Sequence, residues 1–156
     1  MRQLIFFTAI VVTGMVLGAN VYNSVVDAPN WGAQIPGSLE TARRYFGVRT
    51  PGTFFRVASP LSQALSVLVL IVSWRLGGTT RGLAALALGL GILADVLTFA
   101  YFYPRNAVMF VQPVDVQAMK QAWIGWDKMN HVRNLVVLAG LVCQLSVLWR
   151  VARTMN

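Results

Sequence analysis

Asp95 stands inside an otherwise apolar run, Gly82 to Tyr103, and a polar cluster of Tyr103, Arg105 and Asn106 closes the far end of that run. An ionisable side chain at membrane depth is costly unless it faces protein or water, so it marks a place where function concentrates. Two further stretches carry polar residues at helical spacing, which sets them on one face of a helix. Asn20, Asn23 or Ser24, and Asp27 do so at the exit of the first apolar run, and Asp127, Asn130, His131 and Asn134 at the start of the last. Asp95 and Thr98 supply the contribution of the third run. The convergence of these groups toward one side says more than any of them alone.

His131 is the only histidine. As a neutral imidazole it could take a proton from a substrate, with Asp127 or an asparagine fixing its tautomer. The structural alternative is a helix-end histidine bonded to a loop carbonyl. Asp95 needs a partner, and Arg56, Arg105, Arg133 or a loop amide are the candidates. One histidine with Asp27, Asp95 or Asp127 could imitate a carboxylate-rich iron site, but a set of two histidines and one carboxylate cannot be assembled in one chain. Bis-histidine haem would need a second chain, and haem with one axial histidine stays open. Cys143 is alone, which excludes an intrachain disulfide and a cysteine cluster. We therefore expect no metal site and leave the cofactor unspecified.

These residues must be held by helices that cross a membrane. The chain has 156 residues, 56% of them hydrophobic and 12% charged, with four apolar runs at 4–22, 57–74, 82–103 and 132–151. Each is near the roughly 20 residues that a helix needs to cross about 30 Å of hydrocarbon. The expectation is an all-α, antiparallel four-helix transmembrane bundle forming one domain over residues 1–156. Connections alternate long, tight and long, which puts two long loops on one side and both termini on the other. Arg2, an apolar stretch and the Gly18–Ala19 pair also imitate a secretory leader, but a true first span is the favoured reading.

The tight-turn side holds Arg2, Arg75, Arg81, Arg150 and Arg153 with no acid, which places it in the cytoplasm and the protein in a bacterial inner membrane. The other eight of the 13 basic residues lie toward the long connections, and they count against this orientation. The formal net charge of +8 would suggest nucleic acid in a soluble protein, but no basic patch is interleaved with stacking residues outside the apolar runs. No nucleotide-binding glycine loop or serine–histidine–acid signature is present. Membrane lipids are the expected surroundings, and a lipophilic small molecule, a homodimer or a larger membrane complex are the expected partners.

Local signals refine the elements. Thr50–Pro51 reads as a capped helix start, so the second helix begins before the membrane and runs through Pro60. Gly77 and Gly78 end it, and Tyr103 before Pro104 closes the third helix. Ser38 caps a short helix through Tyr45 that Gly47 stops. Pro113 starts a pattern through Val114, Ala118, Ala122 and Trp126 that either lies on the membrane surface or extends the fourth helix. Gly14 with Gly18, and Ala87 with Gly91, have the spacing of close helix contacts, with packing inside the bundle favoured over a dimer seam. The many aromatics toward the long-loop side read mainly as an interfacial belt, with a few lining a pocket for a flat ligand.

The runs Tyr22–Asn23 with Asp27, Pro29–Asn30–Trp31, Arg49–Thr50–Pro51–Gly52, Phe54–Phe55–Arg56, Asp95 with Thr98–Phe99, Tyr103–Pro104–Arg105–Asn106 and Asn130–His131–Val132–Arg133–Asn134 resemble small four-helix membrane proteins of the anthrone oxygenase-like group. The resemblance covers nearly the whole chain with diffuse motifs. It implies oxygen insertion into an activated aromatic carbon without a nucleotide cofactor. His131 would be the base, supported by Asp127, while Arg105, Arg133 or Asn106 would stabilise the enolate oxygen. Asn23, Asp27, Arg56, Asp95, Thr98, Tyr103, Asn106, Asn130 and Asn134 would contact the substrate. The expected function is a membrane oxidoreductase or oxygenase acting on a lipophilic aromatic or quinone-like molecule. The alternative is a non-catalytic membrane subunit or lipid-binding protein, since a fold can be shared without its reaction.

Overall fold

The computed structural model describes residues 2–110 and 115–153, which are helical nearly throughout, with no strand among them. Four helices are long and apolar enough to cross a membrane: α1 Arg2–Gly32, α3 Pro51–Ser73, α4 Gly78–Phe110 and α5 Val116–Arg153; the short α2, Gly37–Tyr45, lies between the first two. α1 packs against α3 and α5, and α4 packs against the same two, so the four close into a ring.

Two of the helices run past the points where their sequences suggest a stop. Pro104 lies inside α4, although the residue pair Tyr103–Pro104 reads as its end. The reason is a π-helical turn over Thr98–Phe102, in which the amide of Tyr103 reaches the carbonyl of Thr98. Widening the helix by one residue just before a proline relieves the ring's clash with the preceding turn. α1 uses the same device: a π turn at Asn23–Asp27, with the Ala28 amide bonded to the Asn23 carbonyl, comes immediately before Pro29.

The second expected long loop is therefore mostly helix. Residues 104–110 complete α4 and residues from Val116 onward belong to α5, whose 38 residues span about 57 Å, well beyond the hydrocarbon. Of the Pro113 pattern, Pro113 and Val114 lie outside the described residues, while Ala118, Ala122 and Trp126 extend α5. Thr50 is extended and precedes Pro51 as expected, but its hydroxyl makes no capping bond. Ser38 also acts differently from a cap, because its Oγ bonds the Trp31 carbonyl and receives the Gln34 amide, tying α2 to the end of α1.

Three apolar clusters hold the ring. Phe6, Ala9, Val69, Ala84, Val147 and Val151 fill the end near the chain termini. Val16, Ala58, Ala94 and Val137 lie in the middle. Trp31, Leu39, Phe102, Met109, Met119 and Trp126 fill the end below α2. There Trp31 meets Phe46, Phe110 and Trp126 edge-on, and Phe102 meets Trp126 in the same way, so these rings form core rather than an interfacial belt. Gly14 and Gly18 do not serve as a contact inside the bundle. A Cβ at either would meet open space, because Thr13, Val16 and Asn20 are the α1 residues turned inward.

Candidate functional site

The ring encloses a half-open cavity of about 800 Å³, running from Trp31, Arg43, Phe46 and Arg56 at one end to Thr13, Ser66 and Gln144 at the other. Both π turns border it, through Asn23 on α1 and through Thr98 and Phe102 on α4. One helical turn beyond Ser66 and Gln144, Val69 and Val147 belong to the Phe6 cluster, which closes the bundle at that end.

Arg133 dominates the wall. Its residue is only 7% exposed, and its guanidinium has no carboxylate partner among the described residues, where the ion pairs are those of Glu40 with Arg43 and Arg44. Nη2 donates to Asn130 Oδ1 at 2.5 Å, Nη1 reaches Thr98 Oγ1 at 3.5 Å, and Nε has no partner. The guanidinium carbon lies 4.0 Å from the centroid of the Phe102 ring and 5.9 Å from that of Phe55. A buried cation held by neutral groups is an unbalanced charge, and it favours an electron-rich oxygen brought into the cavity.

Its position is set by Ser24, a residue of the π turn in α1. Ser24 Oγ receives Asn130 Nδ2 at 2.6 Å and Asn134 Nδ2 at 2.7 Å, and gives its own proton to the Asn20 carbonyl. This fixes the Asn130 amide with its oxygen toward Arg133. Asn130 and Asn134 thus position the wall and do not line the cavity.

Asp95 lines the cavity one helical turn from Thr98, and its carboxylate accepts from Gln63 Nε2 at 2.9 Å. Its partner is this amide from α3 and none of the arginines considered from sequence. The pair requires Gly91: a Cβ there would lie 2.7 Å from Gln63 Oε1 and 2.8 Å from Nε2. Gly91→Ala is expected to push the amide off Asp95 and cost roughly 0.5–1.5 kcal/mol, the worth of one hydrogen bond. Thermal melts in a Gln63→Ala background check this, because there the added methyl group has nothing to displace.

Other expected site residues divide cleanly. Asn23, Arg56, Tyr103 and Asn106 border the cavity with Thr98, Asp95 and Arg133. His131, Asp127, Arg105 and Asp27 do not. His131 is exposed on α5, turned away from the wall that its neighbour Asn130 supports, so the helical register that brings Arg133 inward takes His131 outward. Arg105 stacks 3.3 Å from the Tyr101 ring centroid and bonds the Tyr101 carbonyl, packed at the α4–α5 crossing against Gly125. Among the described residues no three His, Cys, Asp or Glu side chains form a metal-ligand set. At the mouth, hydrogen bonding from Arg43, backed by Arg44, holds the Glu40 carboxyl below its ordinary range.

Sequence reasoning passed over the uncharged polar residues deeper in the cavity: Thr13, Ser62, Gln63, Ser66 and Gln144. Thr13 and Ser62 hydroxyls lie 3.0 Å apart, Ser66 donates to the Ser62 carbonyl, and Gln144 Nε2 donates to Ser66 Oγ at 3.1 Å. The available signal was the helical spacing of Ser59, Ser62, Gln63 and Ser66 within an apolar run. No protein family, no curated protein and no solved structure matches the chain.

Proposed function

We propose that the chain is an integral protein of the bacterial inner membrane, an antiparallel bundle with both termini in the cytoplasm. Its cavity takes a lipophilic aromatic or quinone-like molecule, with a carbonyl or enolate oxygen at Arg133. The carrying observation is the buried guanidinium, without a carboxylate partner among the described residues, on the wall of a cavity with aromatic and apolar lining. A flat ketone would stack among Phe55, Phe102, Trp31 and Trp126 while its oxygen completes the arginine's hydrogen bonding.

The reaction that fits this placement is oxygenase-like. An acidic ring carbon gives up a proton to the Asp95 carboxylate, its electron pair moves to the oxygen held by Arg133, and dioxygen, the co-reactant, oxidises the enolate, leaving one oxygen atom on the ring carbon and the other as water. Arg133 favours the step because it binds the enolate oxygen more strongly than the neutral ketone. Asp95 is the acidic side chain among the described lining residues, whereas His131 and Asp127 stand outside the cavity. Binding without turnover, as in a lipid-binding subunit, is the second reading; it draws on the half-open wall and on the cationic mouth formed by Arg43 and Arg56.

The test is oxygen uptake by the purified chain with anthrone. The expected results are turnover by the natural protein, a rate within twofold of it in His131→Ala, and loss of turnover in Arg133→Met. A His131→Ala variant without activity would return the base to His131 and sink this version of the site. Binding of anthrone with no oxygen uptake would select the second reading.

A further inference from the structure

The cavity's lining carries buried polar atoms of both kinds without a partner among the described residues: the donors Arg133 Nε and Trp126 Nε1, the acceptors Asn20 Oδ1 and Asn23 Oδ1 on α1, and, deeper in, the acceptors Gln63 Oε1 and Gln144 Oε1. The assignment of the two glutamine amides follows from their partners. Ser66 gives its single proton to the Ser62 carbonyl at 2.9 Å, so its oxygen can only accept, and Gln144 must present Nε2 to it. Oε1 of Gln144, on a residue 3% exposed, is left with no donor. Gln63 in turn must offer Nε2 to the Asp95 carboxylate, which leaves Gln63 Oε1 open.

We infer that the closed end of the cavity is a subsite for a hydroxyl group. Resting on the reading of the cavity as a ligand site, this narrows the ligand to a lipophile polar at both ends, with an acceptor oxygen at Arg133 and a hydrogen-bond donor remote from it. Arg133 and Gln144 are separated by roughly 16 Å of α5, at about 1.5 Å per residue. Gln63 stands between them, because its partner Asp95 is one turn from Thr98 and its neighbour Ser66 bonds Gln144. A hydroxyl on a tricyclic ketone meets Gln63, and one on a longer molecule meets Gln144. An analogue with a methyl group in place of the hydroxyl would bury these carbonyl oxygens unpaired, and sites built to bond a hydroxyl reject such analogues strongly.

The test compares two near-isosteric probes, 2-(hydroxymethyl)anthraquinone and 2-ethylanthraquinone, binding to the detergent-purified full chain. Trp31 and Trp126 line the cavity, so quenching of tryptophan fluorescence reads occupancy. The ratio of the two dissociation constants is measured in the natural protein, Gln63→Met and Gln144→Met. The expected result is a preference for the hydroxymethyl probe that falls at least tenfold in one of the two variants, while binding of the ethyl probe stays within threefold. A ratio that stays within twofold in both variants overturns the hydroxyl subsite and leaves the cavity a ligand site. Failure of both probes to bind the natural protein overturns both readings together.

Discussion

Arg133→Met is expected to weaken binding of anthraquinone by about 10- to 100-fold, equivalent to the 1.5–3 kcal/mol of a hydrogen bond to a charged group, without lowering the melting temperature of the empty protein. The two effects separate because Arg133 is buried with neutral partners. Methionine fills a similar volume and removes a charge whose desolvation costs several kcal/mol. Against that stands the loss of a donor to Asn130 Oδ1, about 1–3 kcal/mol. Tryptophan quenching and thermal melts on the same samples check the pair of outcomes. A fall in melting temperature of more than about 10 °C, with binding retained, would make Arg133 a structural residue and remove the basis of the proposed site.

Gly32→Ala carries the largest expected loss of stability. A Cβ at Gly32 would lie 2.1–2.7 Å from three carbons of the Trp123 indole, far inside van der Waals contact. The ring cannot retreat without breaking the 2.8 Å bond from Trp123 Nε1 to the Ala28 carbonyl, which links α5 to the turn ahead of Trp31. Overpacking of about 1–3 kcal/mol and one lost hydrogen bond give roughly 2–4 kcal/mol, or about 5–15 °C in a chain of this size. Gly14→Ala and Gly18→Ala meet open space and are expected to leave the melting temperature unchanged. If Gly32→Ala melts with them, the end of α1 does not seat on α5 as described. The double variant Gly32→Ala with Trp123→Leu should recover part of the loss, since removing the ring removes the clash.

The four-helix reading was legible because its signal is length and composition: roughly 20 apolar residues in a row allow few alternatives. Helix ends were less so. Tyr103–Pro104 is a good local stop, but a π turn one step earlier removes the clash that would enforce it, and residue types do not announce that turn. Among the functional groups, Asp95 and Arg133 stood out because a charge in an apolar helix has to be accommodated. Gln63 and Gln144 did not, since a buried neutral amide needs only ordinary hydrogen-bond partners, so its presence alone singles out no site.

What residue order by itself determined is therefore the all-helical chain, its four apolar helices and the charged positions that need shelter among them. Tertiary structure alone decided which of those positions share a space. Asn130, His131 and Arg133 are close neighbours on one helix, yet one holds the wall, one faces outward and one enters the cavity. Each successive residue turns by about 100° around a helix, so the outcome depends on how α5 is rotated against α1 and α4. That rotation is fixed by distant contacts, the Ser24 hydroxyl with two asparagines and the Trp123 indole with the Ala28 carbonyl, whose pairing no local pattern contains.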